Sequence, residues 1–196
     1  MAKAVVAWST AANAEEAVAQ ALEKALGELA MKPSLAILFS TVDYDPLEVL
    51  GAVRKRIGRT PVWGGTTFTG LLTPDGFISG PNGALGVMLL SGVEAGVGFA
   101  PAGRNPGKNA LKALQKATAR VPSPQAFLMT ASPGIEERVI ETIAQAHPGV
   151  PIVGGSAADN TIEGKWKVFG YRKIFPKGVN IASLSHAGKI GVAFGG

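Results

Sequence analysis

The same short motif occurs twice in this chain of 196 residues. Residues 61–66 read PVWGGT and residues 151–156 read PIVGGS, an offset of 151 − 61 = 90 residues. The segments around the motifs also match in type and order, with strand and helix patterns before each motif and strand patterns after it. This offset exceeds the period of solenoid repeats, so we predict a duplicated, domain-sized unit. We place the two related units at 33–100 and 124–196, within one domain spanning 1–196.

Short apolar runs alternate with amphipathic stretches along the chain. The stretch Asn13–Met31 has apolar side chains at helical spacing and begins with a capping pattern, whereas the short apolar runs have the length of buried strands. Helices between strands favour parallel pairing, while the strand patterns 83–90 with 93–99 and 178–184 with 189–194 predict antiparallel hairpins. The predicted fold is α/β, with internally duplicated β-α-β-β-β units and mixed sheets flanked by helices.

The composition excludes several kinds of site. The chain has no cysteine, which rules out disulfides, thiolate metal sites and cysteine nucleophiles. His147 and His186 have no partner at metal-ligand spacing, so we expect no metal and no other cofactor. Because no apolar run approaches the about 20 residues of a membrane span, and the first run is too short for a signal peptide, we expect a cytoplasmic protein without a membrane partner.

The formal net charge of +5 raises the question of nucleic-acid binding. The basic residues are scattered, with one group at 54–59 near a helix end and another between 165 and 177 in a turn-rich segment. No helix-turn-helix, RRM or KH signature accompanies either group. Solvated surface is the favoured interpretation, and we expect no nucleic-acid partner.

Several predicted strands end in glycine or small hydroxyl residues. Ligands of open α/β sheets collect at such carboxyl ends, where glycine pairs allow close approach to the backbone and hydroxyls donate and accept hydrogen bonds. Tight strand exits can have the same composition, but duplication at matching ends favours a site for a small polar ligand. We expect valine at Gly65 or Gly155 to abolish binding and leave the fold mostly intact. The predicted ligand-binding residues are Ser9, Thr10, Ser40, Thr41, Gly64, Gly65, Thr66, Thr67, Thr130, Ser132, Gly154, Gly155, Ser156 and Asp159.

Acidic side chains near these ends keep other functions open. Asp45 is expected to cap a helix, and Asp159 either to bind a ligand amino group or to cap a turn. A hydrolase or transferase that uses Asp43 or Asp159 as a base is one alternative to a binding module. We assign no catalytic residue, because no nucleophile is paired with a base at a recognisable spacing. A scaffold domain that only presents an interaction surface is the other alternative.

The two motifs and their flanking residues resemble the FIST family. Residues 61–70 (PVWGGTTFTG) are similar to the family's GCSTAGE segment, and residues 151–159 (PIVGGSAAD) to its GGxAxD segment. The resemblance spans essentially the whole chain. It implies an N-terminal FIST domain, an intracellular sensory domain in signal transduction that binds small ligands such as amino acids. Gly65 stands where the family has cysteine and Leu71 where an acid is common, which would change the ligand if that acid contacts its amine. The implied partners are a small-molecule ligand and either a C-terminal FIST domain or a signalling partner.

Overall fold

A computed structural model describes residues 1–193 of the chain. Over this range helices separate some of the strands, and other strands follow one another directly. The elements are β1 (Lys3–Ser9), α1 (Ala14–Leu29), β2 (Leu35–Ser40), α2 (Pro46–Ile57), β3 (Val62–Thr66), β4 (Leu71–Thr73), β5 (Gly76–Ile78), β6 (Leu85–Ser91), β7 (Glu94–Pro101), α3 (Pro106–Thr118), β8 (Ala126–Ala131), α4 (Glu136–Ala146), β9 (Ile152–Ser156), β10 (Val168–Phe169), β11 (Ile174–Phe175) and β12 (Gly178–Ser185). None of the helices described is long and apolar enough to cross a membrane.

The first two helices begin where side chains satisfy free backbone N–H groups of the first turn. The side-chain oxygen of Asn13 accepts a hydrogen bond from the Glu16 N–H at 2.9 Å. Asp45 accepts one from the Leu47 N–H at 2.7 Å, and Pro46 occupies the first turn, where its missing N–H costs nothing. Both predicted caps are confirmed.

Four neighbouring strands of the first large sheet have the same topology as the four strands of the second. The first has the strand order β1-β6-β2-β3-β10-β11 and the second has the order β7-β12-β8-β9. In the first sheet β2 and β3 are parallel, and β6 lies antiparallel between β1 and β2. In the second sheet β8 and β9 are parallel, and β12 lies antiparallel between β7 and β8. The predicted class, α/β with mixed sheets flanked by helices, is confirmed.

The strand pairs predicted as hairpins are not paired with each other. β6 ends at Ser91 and β7 begins at Glu94, but β6 belongs to the first sheet and β7 to the second. Both edges of β6 are already hydrogen-bonded, to β1 and β2, so none is left for β7. β12 is enclosed in the same way by β7 and β8, and residues 189–193 form no strand. Phe194, the last residue of the second predicted hairpin, lies outside the described residues.

Matching strands suggest where each unit of the duplication begins. The first residues of β1 and β7 differ by 94 − 3 = 91 positions, those of β2 and β8 by 126 − 35 = 91, and those of β3 and β9 by 152 − 62 = 90. We propose that the units run over 3–91 and 94–185. The sequence-based units 33–100 and 124–196 each begin one strand and one helix later in the chain than these units.

The two larger sheets pack face to face, and each carries its helices on the outer face. α1 and α2 share an apolar core with the first sheet, and α3 and α4 share one with the second. A third cluster lies between the sheets and includes Leu35 and Trp63 from the first and Ala182 and Leu184 from the second. The indole N–H of Trp63 also donates to the Asn180 carbonyl at 3.1 Å. The layers therefore follow the order helix, sheet, sheet, helix.

Candidate ligand-binding edge

The first glycine of each pair is required by the backbone. Gly64 and Gly154 have φ values of +145° and +149°, a region that residues with a side chain rarely adopt. A Cβ atom at Gly64 would lie 1.8 Å from the Leu38 carbonyl oxygen, and one at Gly154 would lie 1.8 Å from that of Met129. These glycines let β3 and β9 pair closely with β2 and β8, so their role is structural.

The second glycine of each pair has different surroundings in the two units. A Cβ atom at Gly65 would lie 2.9 Å from the Lys167 carbonyl oxygen and 3.1 Å from a methyl group of Thr130. At Gly155 no heavy atom lies within 4 Å of that position, and the residue is exposed. Valine at Gly65 would therefore require the Lys167 main chain to move, which contradicts the expectation that this change leaves the fold mostly intact. Position 155 has room for a side chain.

The edge of β3 is closed by main-chain groups of the segment that follows β9. The Thr66 N–H donates to the Lys167 carbonyl at 2.9 Å, and the Thr66 carbonyl accepts from the Ala158 N–H at 2.9 Å. The Thr66 hydroxyl donates to the Ala158 carbonyl at 2.7 Å and accepts from the Lys167 N–H at 2.8 Å. Thr66 is buried, and its polar groups are occupied by this one segment.

The equivalent edge of β9 is open. Ser156 matches Thr66 at an offset of 156 − 66 = 90 residues. The Ala157 N–H donates to the Ala131 carbonyl at 2.8 Å, so the main-chain groups of Ala157 point toward β8. Because the main-chain groups of successive residues in a strand point to opposite sides, those of Gly154 and Ser156 point away from β8. Within residues 1–193, β9 pairs with β8 alone. Gly154, Gly155 and Ser156 are exposed, and they form what we call the β9 edge.

A carboxylate lies beside this edge at the start of α4. The Ser156 hydroxyl donates to one oxygen of Glu136, and the other oxygen accepts from the Gly134 N–H at 2.6 Å. Burial acts to raise the pKa of Glu136, but hydrogen bonds from Ser156 and from backbone N–H groups at 134–136 outweigh it and hold the pKa below its usual value. Glu136 is therefore ionised at neutral pH. It was not among the predicted site residues, although its offset of 136 − 45 = 91 from the helix-capping Asp45 was a signal that could have found it.

Several predicted hydroxyls have structural partners. The Ser9 hydroxyl contacts the Gln20 side chain at 2.7 Å. Thr41 accepts from the Ala84 N–H at 3.1 Å, just before β6. The Ser132 hydroxyl accepts from the N–H of Gly178, the first residue of β12, at 2.9 Å. The last two contacts are equivalent, and they fix the same strand start in each unit.

The remaining predicted hydroxyls are dispersed. Thr67 donates to the Gly70 carbonyl at 3.0 Å within a turn, and Thr10 is exposed. Thr130 is buried beside Gly65 between the sheets. The Ser40 hydroxyl is buried at the end of β2 and has no hydrogen-bond partner among residues 1–193. The structure therefore does not gather these four side chains into one site.

The acidic candidates of the sequence also have partners. Asp159 is buried, and its carboxylate accepts from the N–H groups of Thr161 and Lys165, which is the turn-capping role. Burial acts to raise the pKa of Asp159, but backbone hydrogen bonds, these two among them, lower it by more, so the pKa lies below its usual value. Asp43 accepts from the Asn160 amide at 3.0 Å to each oxygen. Asn160 in turn accepts from the Thr69 N–H at 3.1 Å, so this cluster joins the two units.

Cavities in the described chain include two that lie away from the β9 edge. One, of about 390 Å³, is lined by Leu47, Leu50, Gly51, Arg54, Lys55 and Arg172. Another, of about 570 Å³, lies where β2 and β3 begin, and its lining includes Ser34, Pro61 and Arg120. Neither contains a residue predicted from the strand ends. The β9 edge is an open strand border.

The fold and this edge define a duplicated α/β domain in which one strand-end edge is closed and its counterpart is open. The FIST N domain model matches residues 34–196, and the chain belongs to the FIST family, a family of sensory domains. This confirms the resemblance seen in the two motifs.

Two solved structures similar to this chain are cyanuric acid hydrolases. The one from A. caulinodans is 13% identical, with a TM-score of 0.45, and the match covers 97% of this chain and 69% of that one. A second, whose structure is described as evolutionary innovation by structural concatenation, is 9% identical, with a TM-score of 0.43, and the match covers 95% of this chain and 68% of that one. Likeness at this level transfers no function. No curated protein matches the chain.

Proposed function

We propose that the chain is a sensory module that binds a small polar ligand at the β9 edge. The supporting observation is the contrast between two equivalent positions. Main-chain groups of the chain itself fill the edge at Thr66, whereas the edge at Ser156 is exposed. An unpaired strand edge presents N–H and C=O groups in fixed positions, so it is preorganised for a ligand that carries both a donor and an acceptor.

The occupant of the closed edge indicates the chemistry of this ligand. At Thr66 it supplies a carbonyl oxygen to the backbone N–H and an N–H to the backbone carbonyl. A free amino acid carries equivalent groups, because its carboxylate accepts and its ammonium donates. The Glu136 carboxylate beside Ser156 would attract the ammonium, and the main-chain N–H groups of the β9 edge, unpaired within residues 1–193, would donate to the carboxylate. We therefore propose an α-amino acid as the ligand.

We propose that ligand binding acts on a C-terminal FIST domain or on a separate signalling partner, as the resemblance implies. We also propose that the protein acts in the cytoplasm. The chain's lack of cysteine is compatible with that compartment. An enzyme is the less favoured alternative, because Asp43 and Asp159 already have hydrogen-bond partners. A scaffold domain without a ligand is the other alternative, and it predicts no response to amino acids.

The experiment is a thermal-shift screen of the free amino acids, followed by calorimetric titration of any ligand found. A ligand at about 100 times its dissociation constant adds about 2.7 kcal/mol to the free energy of unfolding. Gly155→Val should weaken its affinity by roughly tenfold or more, since the valine methyls fill the open space beside the edge. Gly27→Val is the matched control, because this exposed glycine also has no atom within 4 Å of a Cβ position and lies on α1. An unaltered affinity of Gly155→Val, or no response to any amino acid, would reject the proposal.

A further inference from the structure

The hairpin of β4 and β5 has no partner strand within residues 1–193. The two strands pair only with each other and form a separate two-stranded sheet. Leu72 on β4 is 87% exposed and Phe77 on β5 is 57% exposed. Phe68, just before the hairpin, is exposed as well. A small isolated hairpin with large apolar side chains in water is the kind of surface that contacts a partner.

The corresponding hairpin of the second unit does have a partner strand. β10 and β11 lie between β9 and β12 in the chain, as β4 and β5 lie between β3 and β6. β10 pairs antiparallel with β3, with Val168 opposite Gly65. The hairpin of the second unit therefore extends the sheet of the first. Val168 and Phe169 are buried in this position.

This crossed arrangement leaves one hairpin and one edge unmatched. The β3 edge receives β10, but the equivalent β9 edge receives no strand among the described residues. Val153 on β9 is 41% exposed, so the open strand also presents an apolar side chain. Residues 1–193 thus include a hairpin and a strand edge without a partner strand, of the kinds that pair with each other elsewhere in the same molecule.

We propose that two copies of the chain pair by exchanging these elements. The β4–β5 hairpin of each copy adds antiparallel to the β9 edge of the other, as β10 adds to β3 within one copy. A second copy is the occupant because the internal contact shows that the equivalent β3 edge accepts a hairpin from a unit of this same fold. Each copy has one donor and one acceptor, so a reciprocal exchange closes into a two-fold dimer. The pairing is a strand addition, in which main-chain hydrogen bonds provide affinity and apolar side chains provide fit.

The dimer has a consequence for ligand sensing, and that consequence rests on the proposed function. Both the hairpin and the amino acid would occupy the main-chain groups of Gly154 and Ser156. An amino acid at saturating concentration would then dissociate the dimer. The dimer itself requires only the chain, so the two proposals fail separately: ligand binding to a monomer would leave the proposed function intact.

The mass of the chain in solution tests the dimer by sedimentation over a range of concentrations. The expected mass is twice 20.1 kDa. Phe77→Asp on the hairpin and Val153→Asp on β9 should each raise the dissociation constant of the dimer by roughly tenfold or more. In each variant the new carboxylate would lose its contact with water when the dimer forms. Leu47→Asp is the control, since Leu47 is 55% exposed on α2 and should leave the dimer unchanged. Circular dichroism and thermal unfolding check that each variant is folded.

Cross-linking gives a second measurement that does not depend on weakening a contact. The natural chain has no cysteine, so only introduced thiols react. A Leu72→Cys copy mixed with a Val153→Cys copy should be joined by a short bis-maleimide, whereas Leu72→Cys mixed with Leu47→Cys should not. The mass of one chain at every concentration, or a dimer unaffected by both aspartates, overturns the proposal.

Discussion

Replacing Gly154 by alanine should destabilise the second sheet, whereas the same change at the adjacent Gly155 should not. A Cβ atom at Gly154 would lie 1.8 Å from the Met129 carbonyl oxygen, so β9 could not keep its present distance from β8. The φ of +149° adds backbone strain of about 1–3 kcal/mol for a residue with a side chain. With the displaced strand pairing included, we expect a loss of about 3 kcal/mol or more from the free energy of unfolding.

Urea unfolding followed by circular dichroism measures this difference. For a chain of this size, about 3 kcal/mol lowers the melting temperature by roughly 6–12 °C. Gly155→Ala should stay within about 0.5 kcal/mol of the natural chain, because its Cβ meets open space. Gly64→Ala should repeat the Gly154 result, since its Cβ would lie 1.8 Å from the Leu38 carbonyl oxygen. Equal stabilities for the alanine variants at 154 and 155 would refute the structural role of the first glycine.

Two further predictions concern Thr66 and Glu136. Thr66→Val should lower the free energy of unfolding by about 1–3 kcal/mol for each main-chain group of Ala158 or Lys167 that loses its hydroxyl partner. Urea unfolding measures this loss, and Ser156→Ala at the open edge should cost far less. Similar losses at both positions would contradict the assignment of one edge as closed and the other as open. Glu136→Gln should weaken amino-acid binding measured by calorimetry and should lower stability at neutral pH. Since the folded-state pKa of Glu136 lies below the unfolded value, its contribution is fully present above the unfolded pKa and is lost as pH falls through the folded pKa. The stability difference between the natural chain and Glu136→Gln should therefore shrink in acid, and a constant difference would disagree with this account.

Local features of the fold follow from the sequence because their causes are local. The helix caps at Asn13 and Asp45 depend on side chains two or three residues from the N–H groups they satisfy. The offset of 90 residues also relates Gly64 to Gly154, and the two have nearly the same φ. The pairing of β6 does not follow in this way. Its neighbour in the chain is β7, but its hydrogen bonds go to β1 and β2, which lie far away in sequence.

The difference between the two glycine pairs could not be predicted from the motifs. PVWGGT and PIVGGS have the same small residues, and nothing within either motif specifies whether the edge is covered. The covering groups of Ala158 and Lys167 follow the second motif, yet they bond to the strand of the first. The exposure of Gly155 is therefore a tertiary property. It depends on the segment 157–168 passing from the end of β9 to the edge of β3, and the apolar periodicity of the sequence does not encode that path.

The open edge is one half of an unequal pairing between the two units. Within residues 1–193 the hairpin of the second unit covers the edge of the first unit, and one hairpin and one edge are left without a partner strand. In this chain these are the β4–β5 hairpin and the β9 edge. Both proposals use that edge, and neither requires either sheet to rearrange. An amino acid or a second copy would complete hydrogen bonds at a border whose donors and acceptors are already held in place by β8. Because those groups are fixed before binding, little ordering entropy opposes either partner, and competition between the two would convert ligand concentration into a change of assembly.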